Sequence, residues 1–273
     1  MMTSSLNAPL DIIELRNIAS DVASQAGKYV LEESKNPILH ESKSSASDLV
    51  TDIDKRTEAL IVDLIKNQRP DDSFLGEEGT SQKGSSNVLW IIDPIDGTTN
   101  FVHEHPGFGV SIAAKFDDVI VAGAVADPKH KELFDAAIGS GARCNGEHIT
   151  IRRSPELKTA LVATGFSYQE LDRKVQAEVL AHVLPAIADI RRMGSAAIDL
   201  CSVAMGRVDA FYETGLNEWD IAAGSLIASE AGAEVITMKS FAGEALHVAV
   251  NTCIKSEFLA LLNSAMEKVT KDI

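Results

Sequence analysis

The stretch Trp90-Ile91-Ile92-Asp93-Pro94-Ile95-Asp96-Gly97-Thr98-Thr99-Asn100 joins a hydrophobic run to two carboxylates and a tight turn. The apolar run predicts a buried strand that stops where the carboxylates begin, at Asp93 and then Asp96. The proline between them fixes one backbone angle and removes one N–H group, so we expect both carboxylates and the Ile95 carbonyl to face one point. Hard divalent cations prefer such oxygen ligands. The N–H groups of the Gly-Thr-Thr turn suit a phosphate oxygen if they open a helix, so the stretch indicates metal-assisted phosphate chemistry.

Acidic residues follow short apolar stretches in three other parts of the chain. Gly76-Glu77-Glu78 comes after an apolar triplet, residues 48–54 contain three aspartates, and Trp219-Asp220 precedes Ile221-Ala222-Ala223-Gly224. A single Asp-x-x-Asp is most often a turn or a helix cap. The repetition of acids at the ends of apolar stretches favours a shared site instead.

These segments together resemble the inositol monophosphatase family. Its marks are Gly-Glu-Glu, a Trp-x-x-Asp-Pro-x-Asp-Gly-Thr-x-Asn-Phe block and a late Trp-Asp followed by small residues, and the sequence has all three in this order. Leu49-Val50-Thr51 with Asp54 matches as well, as do Arg192–Ala197 and the Asn145-Gly146 turn. The resemblance extends from about residue 12 to residue 254. It implies an α+β fold, a layered α-β-α-β-α sandwich of the inositol monophosphatase and fructose bisphosphatase type.

The resemblance also implies a set of metal ligands. Glu77, Asp93 and the Ile95 carbonyl would hold a first ion, and Asp93, Asp96 and Asp220 a second. All these donors are oxygens, so Mg²⁺ is the expected metal, with two or three ions per subunit. Two ions fit phosphate hydrolysis because one generates the nucleophile and the other stabilises the leaving oxygen.

Catalytic and substrate-binding residues follow from the same likeness. Thr98 would hold the attacking water and Asp54 would orient its hydroxyl, with Glu77 completing the catalytic set, because a threonine alone is a poor base. The substrate-binding positions are Asp96, Gly97, Thr98, Gly194, Ser195, Ala196, Glu213 and Asp220. Phe166-Ser167 would also face the substrate.

Some candidate residues keep two interpretations. Asp54 and Glu213 could equally be solvated acids at the end of a helix or strand. Lys43 could act near the metal or lie in a solvated loop. The pattern does not decide whether Arg191 and Arg192 contact an anionic group, lie at a subunit interface or are exposed to solvent. His103 and His105 do not form a recognisable zinc motif.

The composition argues against several classes of protein. The 273 residues carry a net charge of −15, which opposes direct binding to nucleic acids or anionic membranes, since both need clustered Lys and Arg. No apolar run is close to the length of about 18 residues that a membrane-spanning helix needs. Residues 1–9 lack the pattern of a signal peptide and are expected to be disordered. Cys144, Cys201 and Cys253 have no metal or redox spacing, so we expect them to be reduced and buried in a cytoplasmic protein.

The resemblance implies a single inositol monophosphatase-like domain over residues 1–273, and the apolar patterns predict the order of its elements. Helical spacing covers 10–32, and a second helix ends before Pro70. Strands are expected at 73–76 and 88–92, three more between 109 and 138, and a hairpin at Asn145-Gly146. In the second half, strands and helices alternate, and a helix opens near Asp220. We expect a metal-binding lobe over about 10–150 and a substrate-pocket lobe over about 151–273.

The resulting hypothesis is a Mg²⁺-dependent phosphatase that releases phosphate from myo-inositol monophosphate. The resemblance further implies inhibition by lithium and assembly as a homodimer. Fructose 1,6-bisphosphatase and histidinol phosphatase remain alternatives. Nucleotide phosphatases are disfavoured because Thr99 stands where they usually carry lysine. A different class of function stays open: a scaffold that binds transcription or ribonucleoprotein components.

Overall fold

The computed structural model describes residues 10–36, 40–42, 49–240 and 244–272. Lys43 and residues 1–9, for which the sequence made predictions, lie outside these ranges. Within them the chain forms seven α-helices: Ile12–Glu33 (α1), Asp52–Lys66 (α2), Thr98–Val102 (α3), Glu170–Val183 (α4), Ala196–Ala204 (α5), Glu218–Glu230 (α6) and Lys255–Asp272 (α7).

Fifteen strands lie in the same ranges. They are His40–Ser42 (β1), Leu49–Thr51 (β2), Ser73–Gly76 (β3), Ser81–Gln82 (β4), Val88–Asp96 (β5), Gly109–Phe116 (β6), Val119–Asp127 (β7), Glu132–Ala137 (β8), Ala142–Cys144 (β9), Glu147–Ile149 (β10), Leu161–Thr164 (β11), Asp189–Arg191 (β12), Ala210–Thr214 (β13), Glu234–Lys239 (β14) and Ala245–Val250 (β15).

The strands form one large sheet, one medium sheet and one short ribbon. The eight-stranded sheet has the order β10-β9-β8-β7-β6-β5-β3-β4, the five-stranded sheet β12-β11-β13-β15-β14, and β1 pairs with β2. Pairing is antiparallel except between β3 and β5 and at both edges of β11. Mixed sheets of this kind confirm the predicted α+β class.

The sheets and helices stack in five layers. Helices α1 and α2 cover one face of the large sheet, and α5 and α6 lie between its other face and the five-stranded sheet. The outer face of the five-stranded sheet packs against α4 and α7. Each layer buries the apolar face of an amphipathic element. The α-β-α-β-α sandwich predicted from the resemblance is therefore confirmed.

Strand β5 is longer than its apolar run predicts. It continues through Pro94 to Asp96, and its register against β6 shifts between the pairs Asp93–Ser111 and Asp96–Gly109. This shift is a β-bulge, and a bulge is one of the few places where a sheet accepts a proline, because no ladder hydrogen bond is lost there. The strand predicted to end at residue 92 therefore carries both acidic residues of the motif.

Three further predictions meet the structure with different results. The Asn145-Gly146 hairpin forms between β9 and β10, with positive φ angles of 50° and 85° at the two turn residues, as two-residue hairpin turns require. Helix α6 begins at Glu218, close to its predicted start near Asp220, which is the third residue of the helix. Cys144 and Cys201 are buried, but Cys253 is exposed, because it lies in the turn before α7, so the expectation of three buried cysteines was wrong.

None of the helices in the described part of the chain has the length and apolarity that crossing a membrane requires.

Candidate active site

A cleft of about 430 Å³ lies at the N-terminal ends of α5 and α6. The ends of β3 and β5 line one side of it, and the ends of β11 and β13 line the other. This volume lies within the usual range of small-molecule sites. Most of the predicted site residues line it: Glu77, Asp93, Ile95, Asp96, Gly97, Thr98, Gly194, Ser195, Ala196, Glu213 and Asp220.

Parallel pairing of β3 and β5 brings two acids to one edge of the large sheet. Gly76 is in register with Ile92, so Glu77 and Asp93, the next residues along each strand, emerge side by side. The amide of Glu77 also donates to the Ile92 carbonyl at 3.1 Å. The side chains of Glu77 and Asp93 contact each other, and Asp93 also contacts Asp220 from α6.

These carboxylates repel one another in a partly buried cluster. Burial raises the pKa of Asp93 well above its ordinary value, and the charges of Glu77, Asp96 and Asp220 raise it further. Burial, and then the charge of Asp96, likewise raises the pKa of Asp220. Negative charges gathered away from water are stabilised by a bound cation.

The donor set fits Mg²⁺. Every candidate ligand is a carboxylate or carbonyl oxygen, and Mg²⁺ prefers such hard donors. Among the residues that the structure describes, no three His, Cys, Asp or Glu side chains already stand in the geometry of a metal site. The fit therefore rests on the chemistry of the converging oxygens and on their mutual repulsion, not on a formed cage.

Asp96 connects the large sheet to α5. Its Oδ2 accepts hydrogen bonds from the Ser195 hydroxyl and from the Ala197 amide, both at 2.7 Å. Ser195 is the N-cap of α5, so the carboxylate lies at the positive end of the helix dipole. Burial raises the pKa of Asp96, while these two hydrogen bonds act in the opposite direction.

Helix α2 places a second carboxylate under the turn after β5. Thr51 and Asp54 form a capping box, in which each side chain accepts from the backbone of the other. Asp54 is fully buried and lies 3.0 Å from the Thr98 hydroxyl, which is also 3.0 Å from the Ile95 carbonyl. Burial raises the pKa of Asp54, and its bonds to Thr51 and Thr98 lower it.

Gly97 makes the turn from β5 into α3. Its φ angle is +95°, and a Cβ there would come within 2.8 Å of the Gly107 carbonyl and 2.9 Å of the Gly194 carbonyl. Asn100 fixes the same region, since its amide donates to the carbonyls of Gly107 and Met193 at 2.7 and 2.6 Å. The turn therefore requires glycine on both conformational and steric grounds.

Glu213 lies on the opposite wall of the cleft. It belongs to β13, and burial raises its pKa to about 8, although the charge of Arg192 acts to lower it. Arg192 also lines the cleft, whereas Arg191 is exposed and pairs with Asp189 at 2.8 Å. The structure thus separates two arginines that the sequence left unassigned.

The outer wall of the cleft contains residues that the sequence did not single out. Phe166 and Ser167, which it did name, are joined by Tyr168, Gln169, Asp172, Leu216, Asn217 and Glu244. They come from loops around α4, β13 and β15, whose side chains follow no local motif. His103 and His105 are exposed and do not line the cleft.

Comparison with known proteins assigns this arrangement to a family. A model of the inositol monophosphatase family matches residues 11–271. The inositol-1-monophosphatase SuhB of Mycobacterium tuberculosis is 42% identical, with 96% of each chain covered. A Nus factor SuhB of Vibrio cholerae is 42% identical over 80% of this chain and 83% of its own length.

Solved structures agree with the sequence comparison. The chain superimposes on an IMPase of Thermotoga maritima with a TM-score of 0.84 and 32% identity, covering 94% of this chain and 99% of the other. A family match over nearly the whole sequence, a shared fold and an acidic cleft between two sheets lead to one conclusion. The chain belongs to the inositol monophosphatase family, and it is a phosphatase.

Proposed function

We propose that the protein is a Mg²⁺-dependent phosphomonoesterase that hydrolyses myo-inositol monophosphate to myo-inositol and phosphate. The observation that carries this proposal is the convergence of Glu77, Asp93 and Asp220 beside the Thr98–Asp54 pair. When bound, Mg²⁺ would supply an activated water and neutralise charge on the leaving oxygen. The name of the M. tuberculosis relative supports the substrate.

Thr98 and Asp54 would position the attacking water. The Thr98 hydroxyl has one proton and two acceptor sites. If that proton is donated to Asp54, its free lone pair can accept from a water in the cleft, and the ionised carboxylate favours this orientation. Asp54 is itself held by the capping box of α2, so the pair is fixed before substrate arrives.

The turn after β5 and the opposite wall would bind the two ends of the substrate. The amides of Gly97 and Thr98 are proposed to receive the phosphate oxygens. Glu213 would accept hydrogen bonds from the ring hydroxyls, and the small residues Gly194 and Ala196 leave room for the ring. Ser195 would keep Asp96 oriented through the hydrogen bond described above.

The outer wall favours a monophosphate over a bisphosphate. Asp172 and Glu244 line it, and among the described lining residues only Arg192 is cationic. A second phosphate in this region would meet more negative than positive charge. Fructose 1,6-bisphosphatase is therefore the weaker alternative, and histidinol phosphatase remains to be compared directly.

Phosphate release from a substrate panel tests the proposal. The panel is myo-inositol 1-phosphate, fructose 1,6-bisphosphate, histidinol phosphate and 3′-phosphoadenosine 5′-phosphate, each with and without Mg²⁺. We expect myo-inositol 1-phosphate to have the highest kcat/KM and to lose turnover without the metal. Preference for another ester would overturn the assignment of the substrate. Wild-type turnover by Asp93→Asn at saturating Mg²⁺ would overturn the assignment of the metal site.

A scaffold role is the second candidate, because the V. cholerae relative is named a Nus factor. It predicts that transcription or ribonucleoprotein components co-purify with the protein in stoichiometric amounts. Asp93→Asn separates the two roles, since the substitution should abolish turnover and leave such a complex unchanged. Absence of any complex with both variants would exclude this candidate.

The remaining properties are proposals from the family likeness. We infer a homodimer, testable by sedimentation equilibrium, and inhibition by lithium. Free cysteines in the described part of the chain are compatible with a cytoplasmic location.

A further inference from the structure

A buried carboxylate outside the cleft contacts the loop that carries Glu77. Glu58 lies on α2, four residues after Asp54, and is 3% exposed. Its Oε2 accepts from the Glu78 amide at 2.7 Å, and its Oε1 accepts from the Thr80 amide at 2.9 Å. Both oxygens are therefore used to hold one short loop.

The loop, residues 76–80, is built around this carboxylate. The Gly76 amide donates to the Thr80 carbonyl at 2.8 Å, which closes the loop. A Cβ on Gly76 would lie 2.3 Å from Oε2 of Glu58, so the glycine makes room for the acid. The backbone amide of Glu77 itself donates to β5, and the next amide, that of Glu78, donates to Glu58. The backbone is therefore held on both sides of the Glu77 side chain.

Hydrogen bonds from backbone amides to a carboxylate are short and strong, because the acceptor is charged. A neutral glutamine at position 58 would keep one carbonyl oxygen, but its NH₂ group would face a backbone N–H. One of the two amides would then lose its acceptor, and an unsatisfied buried amide is unfavourable. The loop would no longer hold Glu77 in one place.

We propose that Glu58 is a positioning residue that sets the Mg²⁺ affinity of the site to which Glu77 contributes. The inference rests on the proposed function, in which Glu77 is a metal ligand. Helix α2 then serves the site twice from adjacent turns of one face, since Asp54 orients Thr98 and Glu58 orients Glu77. Residues that orient metal ligands commonly change metal affinity or activity by about 10–100-fold when replaced.

The test compares Glu58→Gln with Asp63→Asn. Asp63 is an exposed acid on the same helix, so its substitution changes the net charge equally without touching the loop. Mg²⁺ binding is measured by isothermal titration calorimetry on the metal-free proteins, and phosphate release from myo-inositol 1-phosphate is titrated with Mg²⁺. We expect the Mg²⁺ Kd of Glu58→Gln to rise about 10–100-fold, with kcat recovering substantially at saturating metal, and Asp63→Asn to match the wild type.

Each other outcome has a defined meaning. If Glu58→Gln and Asp63→Asn bind Mg²⁺ equally, Glu58 has a structural role only and the inference is wrong. If the wild type itself binds no Mg²⁺, the proposed function fails, and the inference fails with it. If Glu58→Gln does not fold, Glu58→Asp replaces it. That variant keeps the charge but shortens the reach to the amides, and wild-type Mg²⁺ affinity in it would also overturn the inference.

Discussion

Gly165 stands against the carboxylate of Glu213 and leaves room for it. Parallel pairing of β11 with β13 aligns Thr164 with Tyr212, so the next residue of each strand lies side by side. A Cβ on Gly165 would come within 2.0–2.1 Å of the Glu213 carboxylate atoms. The position of this acid in the cleft therefore depends on the absence of a side chain at residue 165.

Gly165→Ala should weaken recognition of the substrate hydroxyls by moving Glu213. Loss of a hydrogen bond that leaves a buried group unpaired costs about 1–3 kcal/mol, so we expect KM for myo-inositol 1-phosphate to rise roughly fivefold or more with a smaller change in kcat. Steady-state kinetics with para-nitrophenyl phosphate, which has no ring hydroxyls, provide the control. An equal loss on both substrates would show a general disturbance of the cleft.

Asp199 is a buried acid on α5 without a hydrogen-bond partner for its Oδ1 among the described residues. Burial raises its pKa well above the ordinary value, the charges of Glu213 and Asp96 raise it further, and Arg192 acts in the opposite direction. A carboxyl whose pKa is raised on folding binds its proton more tightly in the native state. The stability that this proton contributes is complete below the unfolded pKa of Asp199. It is lost as pH rises from the unfolded pKa to the raised native pKa.

Asp199→Asn should remove this pH dependence. Relative to the wild type, the variant is expected to gain about 1.4 kcal/mol in the free energy of unfolding per pH unit, from about pH 4 up to the raised pKa of Asp199. Urea unfolding at pH 5 and pH 8 measures the difference. A stability difference that stays constant between the two pH values would contradict the expectation.

At the level of the elements, the N-terminus of α2 combines folding and function in one capping box. The Thr51 hydroxyl accepts from the amides of Ile53 and Asp54, and the Asp54 carboxylate accepts from the Thr51 amide. The same carboxylate is the partner of Thr98. A change at the cap therefore reaches the site through Asp54.

Thr51→Ala is expected to lower the free energy of unfolding by about 0.5–2 kcal/mol, the usual effect of losing an N-cap. It should also lower kcat, because Asp54 loses a partner that fixes its orientation. Thr51→Ser keeps the hydroxyl and is the matched control. Denaturant unfolding and kcat are measured on both, and an unchanged kcat in Thr51→Ala would mean that the cap does not orient Asp54.

Local patterns predicted the elements whose burial follows the chain itself. Apolar spacing predicted α1, α2 and the strands β6–β8, and two turn residues predicted the β9–β10 hairpin. The continuation of β5 through Pro94 had no local signal, because the bulge is stabilised by pairing with β6. Helix α6 begins at Glu218, close to its predicted start near Asp220, and Asn217 and Asp220 cap it together.

The site could be predicted only as far as its motifs extend. The predicted ligands and Thr98 line one cleft, with Asp54 buried behind Thr98. They come together because they follow strand ends or helix starts that the fold brings to one place. The outer wall comes from loops with no spacing in common, so it could not be inferred. Glu58 was missed because an acid on an amphipathic helix is usually exposed, although its four-residue separation from Asp54 places both on one face.

For the whole molecule, the cleft gathers acids from elements far apart in the sequence. Glu77 follows β3, Asp93 and Asp96 belong to β5, and Asp220 belongs to α6. Their mutual repulsion opposes folding wherever no cation is bound. The metal should therefore stabilise the folded chain as a whole and not only the cleft.

Mg²⁺ should raise the melting temperature, and EDTA should reverse the effect. At a concentration 100 times the Kd, a ligand specific for the native state contributes about 2.7 kcal/mol, and each kcal/mol is worth about 2–4 °C in a domain of roughly this size. Differential scanning calorimetry measures the shift. In Asp93→Asn the shift should be much smaller, and an equal shift in that variant would place the stabilising ion elsewhere.

The hydrogen bonds from Ser195 and Ala197 to Asp96 also have a consequence for protein synthesis. A ribosome produces Glu77, Asp93 and Asp96 about a hundred residues before the α5 residues that orient Asp96 and still longer before Asp220. Until that later part of the chain has emerged and docked, the nascent protein contains acids that no partner helix yet holds. A complete cleft therefore arises only after the chain through Asp220 has been made and α5 and α6 have docked, so catalytic competence is expected to follow that docking step.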